Sequence, residues 1–223
     1  YWNNNLGSLI KLHIDDFYSP KDLVKEFDLE GKMETQATYG NLQLGDQGSK
    51  RFIQSGYRFY ERDGERFAII LSQDQDGDQR VVFITTTEGR GVELLDELEE
   101  DFYANGPLNG AFFDMSYNFM KRSEMVDELL AWNPTIRSQL KKDVLVFLRL
   151  MPILGERGLP NSRGIILSGA PGTGKTMYAK SLAAEAETTT ILISAEMIQQ
   201  RHDVKTAFKL ARRLSPSLII IED

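Results

Sequence analysis

Eight residues limit the fold of this chain more than any others: "GAPGTGKT", from Gly169 to Thr176. They follow a short aliphatic run, "GIILS" (164–168), and precede a helix-forming stretch, "MYAKSLAAEAE" (177–187). Glycines at 169, 172 and 174 let the backbone curl without Cβ clashes, so successive N–H groups can point inward at an anion. The helix that starts there adds the partial positive charge of its N-terminus. Lys175 brings a point charge suited to β- and γ-phosphates, and Thr176 offers a hydroxyl to Mg²⁺. Strand, loop and helix in this register predict a phosphate-binding loop at the edge of a parallel sheet.

The last residues sharpen that expectation. In "SPSLIIIED", Leu218 to Ile221 show no alternation, which predicts a strand buried on both faces of a helix-covered parallel sheet. Glu222 and Asp223 then fall at its C-terminal edge, where open α/β sheets bind ligands. A phosphate-loop nucleoside triphosphatase needs an acid on a neighbouring strand to hold Mg²⁺, and a second group to position the attacking water. The competing reading is a core strand that runs out into solvent. Between loop and acids lie a strand, "TTILIS" (189–194), and a helix, "DVKTAFKLARRL" (203–214). Alternation of this kind is an α/β signature.

Upstream the pattern changes. Residues 1–120 hold 11 Lys/Arg against 22 Asp/Glu, a balance of −11, whereas residues 121–223 hold 15 against 11. An acidic front half repels a nucleic-acid backbone, so no nucleic-acid partner is expected. "SPKDLVKEF" reads as a short helix, with Ser19 as cap and Pro20 at the first helical position. Asp63-Gly64 and Asp76-Gly77, each between apolar-rich runs, predict two hairpins and an antiparallel meander over 56–86. "DQDGD" (74–78) resembles the start of a calcium loop, but the sixth and twelfth positions are Gln79 and Thr85, so a solvated hairpin tip is the reading. "GVELLDELEEDFY" predicts an amphipathic helix with Val92, Leu95, Leu98 and Phe102 on one face. "TIRSQLKKDVLVFLRLMPIL" predicts another, carrying Ile136, Leu140, Val144, Phe147 and Met151.

The expected organisation is an α/β phosphate-loop core with a parallel sheet, preceded by a smaller α+β domain. The boundaries read as 1–120 for the acidic domain, 121–134 for a connector and 135–223 for the core. Of 223 residues none is Cys, which excludes a disulfide framework, a thiolate zinc site and a cysteine nucleophile. No apolar run approaches the ~20 residues of a membrane span. No signal peptide opens the chain, and a cytoplasmic or other intracellular setting is expected. The start, "YWNNN", reads as a cut or processed end.

Pro171 within "GAPGTGKT", and "ARRLSPSLIIIED" some forty residues on, resemble the AAA subgroup of AAA+ P-loop ATPases. The resemblance covers roughly 130–223, the first part of an AAA module. It implies an ATP cradle running through Gly169, Ala170, Pro171, Gly172, Thr173, Gly174, Lys175, Thr176 and Met177. It also implies Mg²⁺ at Thr176 and Glu222, and hydrolysis assisted by Lys175 and Asp223. A ring of the complete protein, hexamer- or heptamer-like, acting with ATP/ADP on a protein client, follows from the same likeness. The usual order of the acids is Asp then Glu; the reversed order here resembles the clade of the mitochondrial Rieske-protein translocase. "ISAEMIQQRHDVKTAF" has no aromatic before Phe208 where AAA unfoldases carry a pore-loop aromatic; Met197 and Ile198 there read as core. Sensor strand, arginine fingers and helical lid would lie beyond Asp223, which implies a partial chain with little turnover of its own. Two other classes stay open: a nucleotide-dependent switch or scaffold with little turnover, and a small-molecule kinase.

Overall fold

A computed structural model describes residues 2–29, 37–122, 133–198 and 201–222. Packing divides the chain into two compact units, residues 1–107 with 116–118, and residues 108–115 with 119–223.

The first unit is α+β. Helix α1 (Asn4–Phe17) starts at Asn3, whose side chain accepts from Leu6 N. Strands β1 (Leu23–Phe27), β2 (Thr38–Gln43), β3 (Ser49–Arg62), β4 (Glu65–Gln73) and β5 (Gln79–Thr85) form an antiparallel sheet of order β1-β3-β4-β5, with β2 added on β3. Helix α2 (Arg90–Asn105) follows β5, and both helices pack on the sheet. Asp63 and Gly64, at φ 52° and 80°, make the tight turn between β3 and β4 that the sequence predicts. At the next tip, Asp74 Oδ1 accepts from the backbone N–H groups of Asp76 and Asp78. Its carboxylate thus organises a turn.

Two expectations for this unit need correction, and one helix was unforeseen. The segment 19–27 is not helical. Ser19 O closes a turn on Asp22 N, and Leu23–Phe27 is a strand paired with Tyr57–Tyr60 of β3. A ladder to a distant strand satisfies the backbone that the local cap and Pro20 seemed to commit to a helix. On α2 the buried face is Leu94, Leu98 and Phe102, and Val92 is 64% exposed. Helix α1 was not marked by the sequence, because its interior positions include Lys11 and His13, both buried.

The second unit is α/β, as the sequence predicts. Its parallel sheet has the order β6-β7-β8, from β6 (Phe112–Asp114), β7 (Thr189–Ser194) and β8 (Ser217–Glu222). Helices α3 (Pro134–Glu156), α4 (Lys175–Ala186) and α5 (Arg201–Arg213) accompany it. Phe112, Ala183, Leu192 and Ile220 form its core cluster. Arg122 donates to Ala183 O, Thr188 O and Gly110 O, tying the end of α4 to the chain on either side of the sheet edge. Tyr178 of α4 donates to Arg137 O of α3 at 2.8 Å.

Here, too, the sequence needs correcting. Gly164–Ser168 is not in a strand; no ladder joins it to any described strand, and Ile166 is 92% exposed. Both edges of β7 are already taken, by β8 and by the unforeseen β6. Strand β8 is not buried on both faces: Ile220 is interior, whereas Ile221 is 56% exposed. A neighbour on one side only, among the described residues, leaves that face open. Ile136 is exposed and Leu148 is the buried residue of α3; Met197 is exposed rather than core. Of the expected connector 121–134, residues 123–132 lie outside the described residues. Among the described residues no helix is long and apolar enough to cross a membrane.

Candidate nucleotide-binding site

The loop owes its shape to backbone conformations that side chains resist. Gly172 and Gly174 have φ of 74° and 83°, in the left-handed region that glycine enters without a Cβ penalty. Gly174 is the N-cap of α4, and no side chain caps that helix. The first-turn N–H groups of α4 therefore keep their donors for an incoming anion. Inside the loop, Thr173 Oγ1 donates to Ala170 O at 2.9 Å. Lys175 folds back along the loop, and its Nζ donates to Gly169 O at 3.0 Å and to Ala170 O at 2.8 Å. Those carbonyls hold the ammonium by exposed, neutral acceptors, which a phosphate oxygen replaces with a stronger charge-assisted bond.

The helix that opens at this loop also meets the acidic strand end. Lys180 lies one turn after Thr176, at the i+4 spacing that puts both on one face of α4. Its Nζ donates to Glu222 Oε1 at 3.0 Å. Both side chains are largely buried, at 24% and 16% exposure. Glu222 Oε2 is buried and has no hydrogen-bond partner among the described residues. A buried carboxylate oxygen in this condition is a ready ligand for a hard divalent cation, which takes oxygen donors. Thr176 adds a hydroxyl on the same face of that helix as Lys180, so the donors are of the oxygen type that a magnesium ion takes.

The predicted residues are thus only partly assembled. Gly169, Ala170, Pro171, Gly172, Thr173, Gly174, Lys175 and Thr176 form one continuous loop and helix start, and Met177, 44% exposed, lies in the first turn of α4. Glu222 comes to the same helix through Lys180. Asp223 lies outside the described residues. Lys180 was missed by sequence reasoning; its one signal was the i+4 spacing from Thr176, which every helical lysine at that offset shares.

Residues 165–223 match the profile of the "ATPase family associated with various cellular activities (AAA)". That segment carries the AAA signature. Part of the chain is also similar to curated proteins. A stretch of 92 residues is 32% identical to the proteasome-activating nucleotidase of Sulfurisphaera tokodaii, covering 39% of this chain and 24% of that protein. Protein SAP1 of Saccharomyces cerevisiae is 38% identical over 89 residues, covering 37% of this chain and 10% of that protein. Human spastin is 34% identical over 94 residues, covering 40% and 15%. The chain therefore spans a quarter or less of the length of each of these relatives.

Proposed function

We propose that this chain is the front part of a magnesium-dependent ATPase whose complete form is a ring that remodels or translocates a protein client. The observation that carries the reading is the Lys180–Glu222 pair, which draws the acidic strand end against the helix that Lys175 and Thr176 begin. The AAA profile match over 165–223, together with the likeness to the proteins named above, supports ATP chemistry at that place. Gly169–Thr176 wraps the phosphates with backbone N–H groups, Lys175 exchanges its two loop carbonyls for phosphate oxygens, and Met177 borders the nucleotide. Thr176 and Glu222 hold the ion. A Mg²⁺ ion held there would supply charge neutralisation to the phosphates. Asp223 orients and deprotonates the attacking water.

The order Glu222-Asp223, reversed from the usual one, supports placement near the clade of the Rieske-protein translocase, and so a folded client. Such a client does not need an aromatic grip on an extended chain, and the exposed Met197 supplies none.

Two variants of the complete protein test the function. Asp223→Asn should bind ATP and assemble normally but hydrolyse it at least about 100-fold more slowly, in line with a misplaced catalytic group. Glu222→Gln should weaken nucleotide binding only when Mg²⁺ is present. Normal hydrolysis by Asp223→Asn rejects the assignment of the water-activating group. Tight binding with no turnover in the parent favours a nucleotide switch instead.

A further inference from the structure

Nothing in the phosphate-loop chemistry requires a lysine one turn into α4, yet Lys180 carries the only ion pair described for Glu222. The pair is uneven. Lys180 Nζ engages Oε1 at 3.0 Å, while the other oxygen of the same carboxylate is buried and unpartnered. A carboxylate at a strand terminus has free χ angles, and an ordered metal ligand needs its rotamer fixed by a neighbour outside the metal's own shell. Lys180 meets that need from the same helix that presents Thr176. Helix α4 also packs against β8, so the spacing of Lys180 and Thr176 along the helix fixes where the carboxylate stands relative to the hydroxyl.

We infer that Lys180 is a positioning residue for the magnesium ion: it holds Glu222 by Oε1 and thereby leaves Oε2 as the metal-binding oxygen. The inference rests on the nucleotide-site reading above and deepens it. The division of labour gives each oxygen one partner, the ammonium on Oε1 and the cation on Oε2. It also explains how a glutamate, one methylene longer than the aspartate usual at this place in the family it resembles, is kept from swinging away. The longer arm is tethered from the side.

The test is calorimetric titration of the full chain with a hydrolysis-resistant ATP analogue, once with Mg²⁺ and once with EDTA. The quantity read is the ratio of the two affinities. Loss of an outer partner of a metal ligand typically costs about 10–100-fold in metal affinity. Lys180→Met should therefore reduce the Mg²⁺ enhancement about tenfold or more and leave the EDTA affinity unchanged. Lys180→Arg, which keeps charge and reach, should restore most of the enhancement; a purely structural lysine would show no such link to the metal. If Lys180→Met does not fold, Lys180→Gln replaces it in the same comparison. In a Glu222→Gln background, Lys180→Met should have no further effect on the ratio.

An unchanged enhancement in Lys180→Met overturns the inference while leaving the nucleotide site standing. So does an increased one, which would make Lys180 a competitor of the ion, and so does an undiminished effect of Lys180→Met in the Glu222→Gln background. A parent chain that binds the analogue in neither condition overturns the inference together with the reading beneath it.

Discussion

Lys11 Nζ lies 2.5 Å from Gln79 Oε1 in the interior of the first unit, and it also donates to Gln54 O at 2.6 Å and Ser72 O at 2.8 Å. Three neutral oxygens satisfy its protons, and burial pushes its pKa down to about 8 from 10.5. The folded state therefore releases this proton before the unfolded state does. Between pH 8 and 10.5 the unfolded chain binds more protons, so stability from this group rises with pH across that window, and below pH 8 its burial is a standing cost. Lys11→Met should remove the dependence. In denaturant melts, the parent should gain stability relative to Lys11→Met as pH rises from 8 to 10.5, by an amount on the order of 1–3 kcal/mol. A constant difference between the two across that range would show that Lys11 is not titrating in place.

Gly56 marks the bend of the longest strand. Before it, Ser49–Ser55 of β3 pairs with β2; after it, Tyr57–Tyr60 pairs with β1. Its φ is 152°, and an added Cβ would stand 2.6 Å from Phe27 O and 2.8 Å from Ala37 Cβ. Neither neighbour is the end of a flexible side chain, so the strand has to move. Gly56→Ala should destabilise the first unit by about 1–3 kcal/mol, read as a lowered denaturation midpoint. Gly64→Ala makes a useful comparison, since an added Cβ there meets nothing within 4 Å and only the positive φ of 80° resists it.

These two sites show what a sequence hides. Asp63-Gly64 and Asp76-Gly77 announced their turns because the turn conformation is decided by the residues in it. Strand β1 was invisible because Leu23–Phe27 depends on Tyr57–Tyr60, with Phe27 opposite Tyr57 and Leu23 opposite Tyr60, while Ser19-Pro20 gave a local helix signal. Helix α1 was hidden by its own interior, where Lys11 and His13 sit among Leu9, Ile10, Leu12 and Ile14 and blur the apolar stripe. His13 Nε2 is 2.8 Å from Asp101 Oδ2 of α2, a pairing across 88 residues that no local pattern announces. In the second unit the left-handed turns at Gly172 and Gly174 and the helix that starts at Lys175 were legible, because glycine and the residues around it decide such a turn locally. Strand β6 was not, since three residues of a Phe-Phe-Asp segment carry no period, and Lys180 was not, since its meaning depends on Glu222 forty-two residues on.

Arg122 should prove a structural keystone of the second unit. Its guanidinium reaches Ala183 O, Thr188 O and Gly110 O at once, and its charge lies 5.8 Å from the Phe112 ring centre. The cap of α4 is Glu187 at φ 48°, so the last carbonyls of the helix depend on an outside donor. Arg122→Met should cost about 1–3 kcal/mol through carbonyls left without a donor. Arg122→Lys should recover only part of that, because one ammonium cannot span the same fork. Thermal unfolding of the two variants checks the order; equal stability of Lys and Arg at this position would mean that charge, not geometry, is what α4 requires.

Lys175 offers the cleanest separation of binding from folding. Its described hydrogen bonds go to Gly169 O and Ala170 O, two exposed acceptors that water can satisfy in its place. Removing an exposed side chain of this kind changes stability by no more than about 0.5 kcal/mol. A phosphate, by contrast, loses a charge-assisted bond worth about 1.5–3 kcal/mol, which corresponds to a roughly 10–100-fold weaker affinity. Lys175→Ala should therefore unfold at the parent's temperature and bind an ATP analogue at least about tenfold more weakly in calorimetry. Lys175→Arg is expected to fall short as well, because a planar fork does not fit the space in which a slender ammonium meets two adjacent carbonyls. Parent-like affinity in Lys175→Ala would mean that "GAPGTGKT" is a glycine-rich turn without a phosphate to hold. A drop in affinity with an equal drop in melting temperature would mean that the lysine holds the loop together rather than the nucleotide.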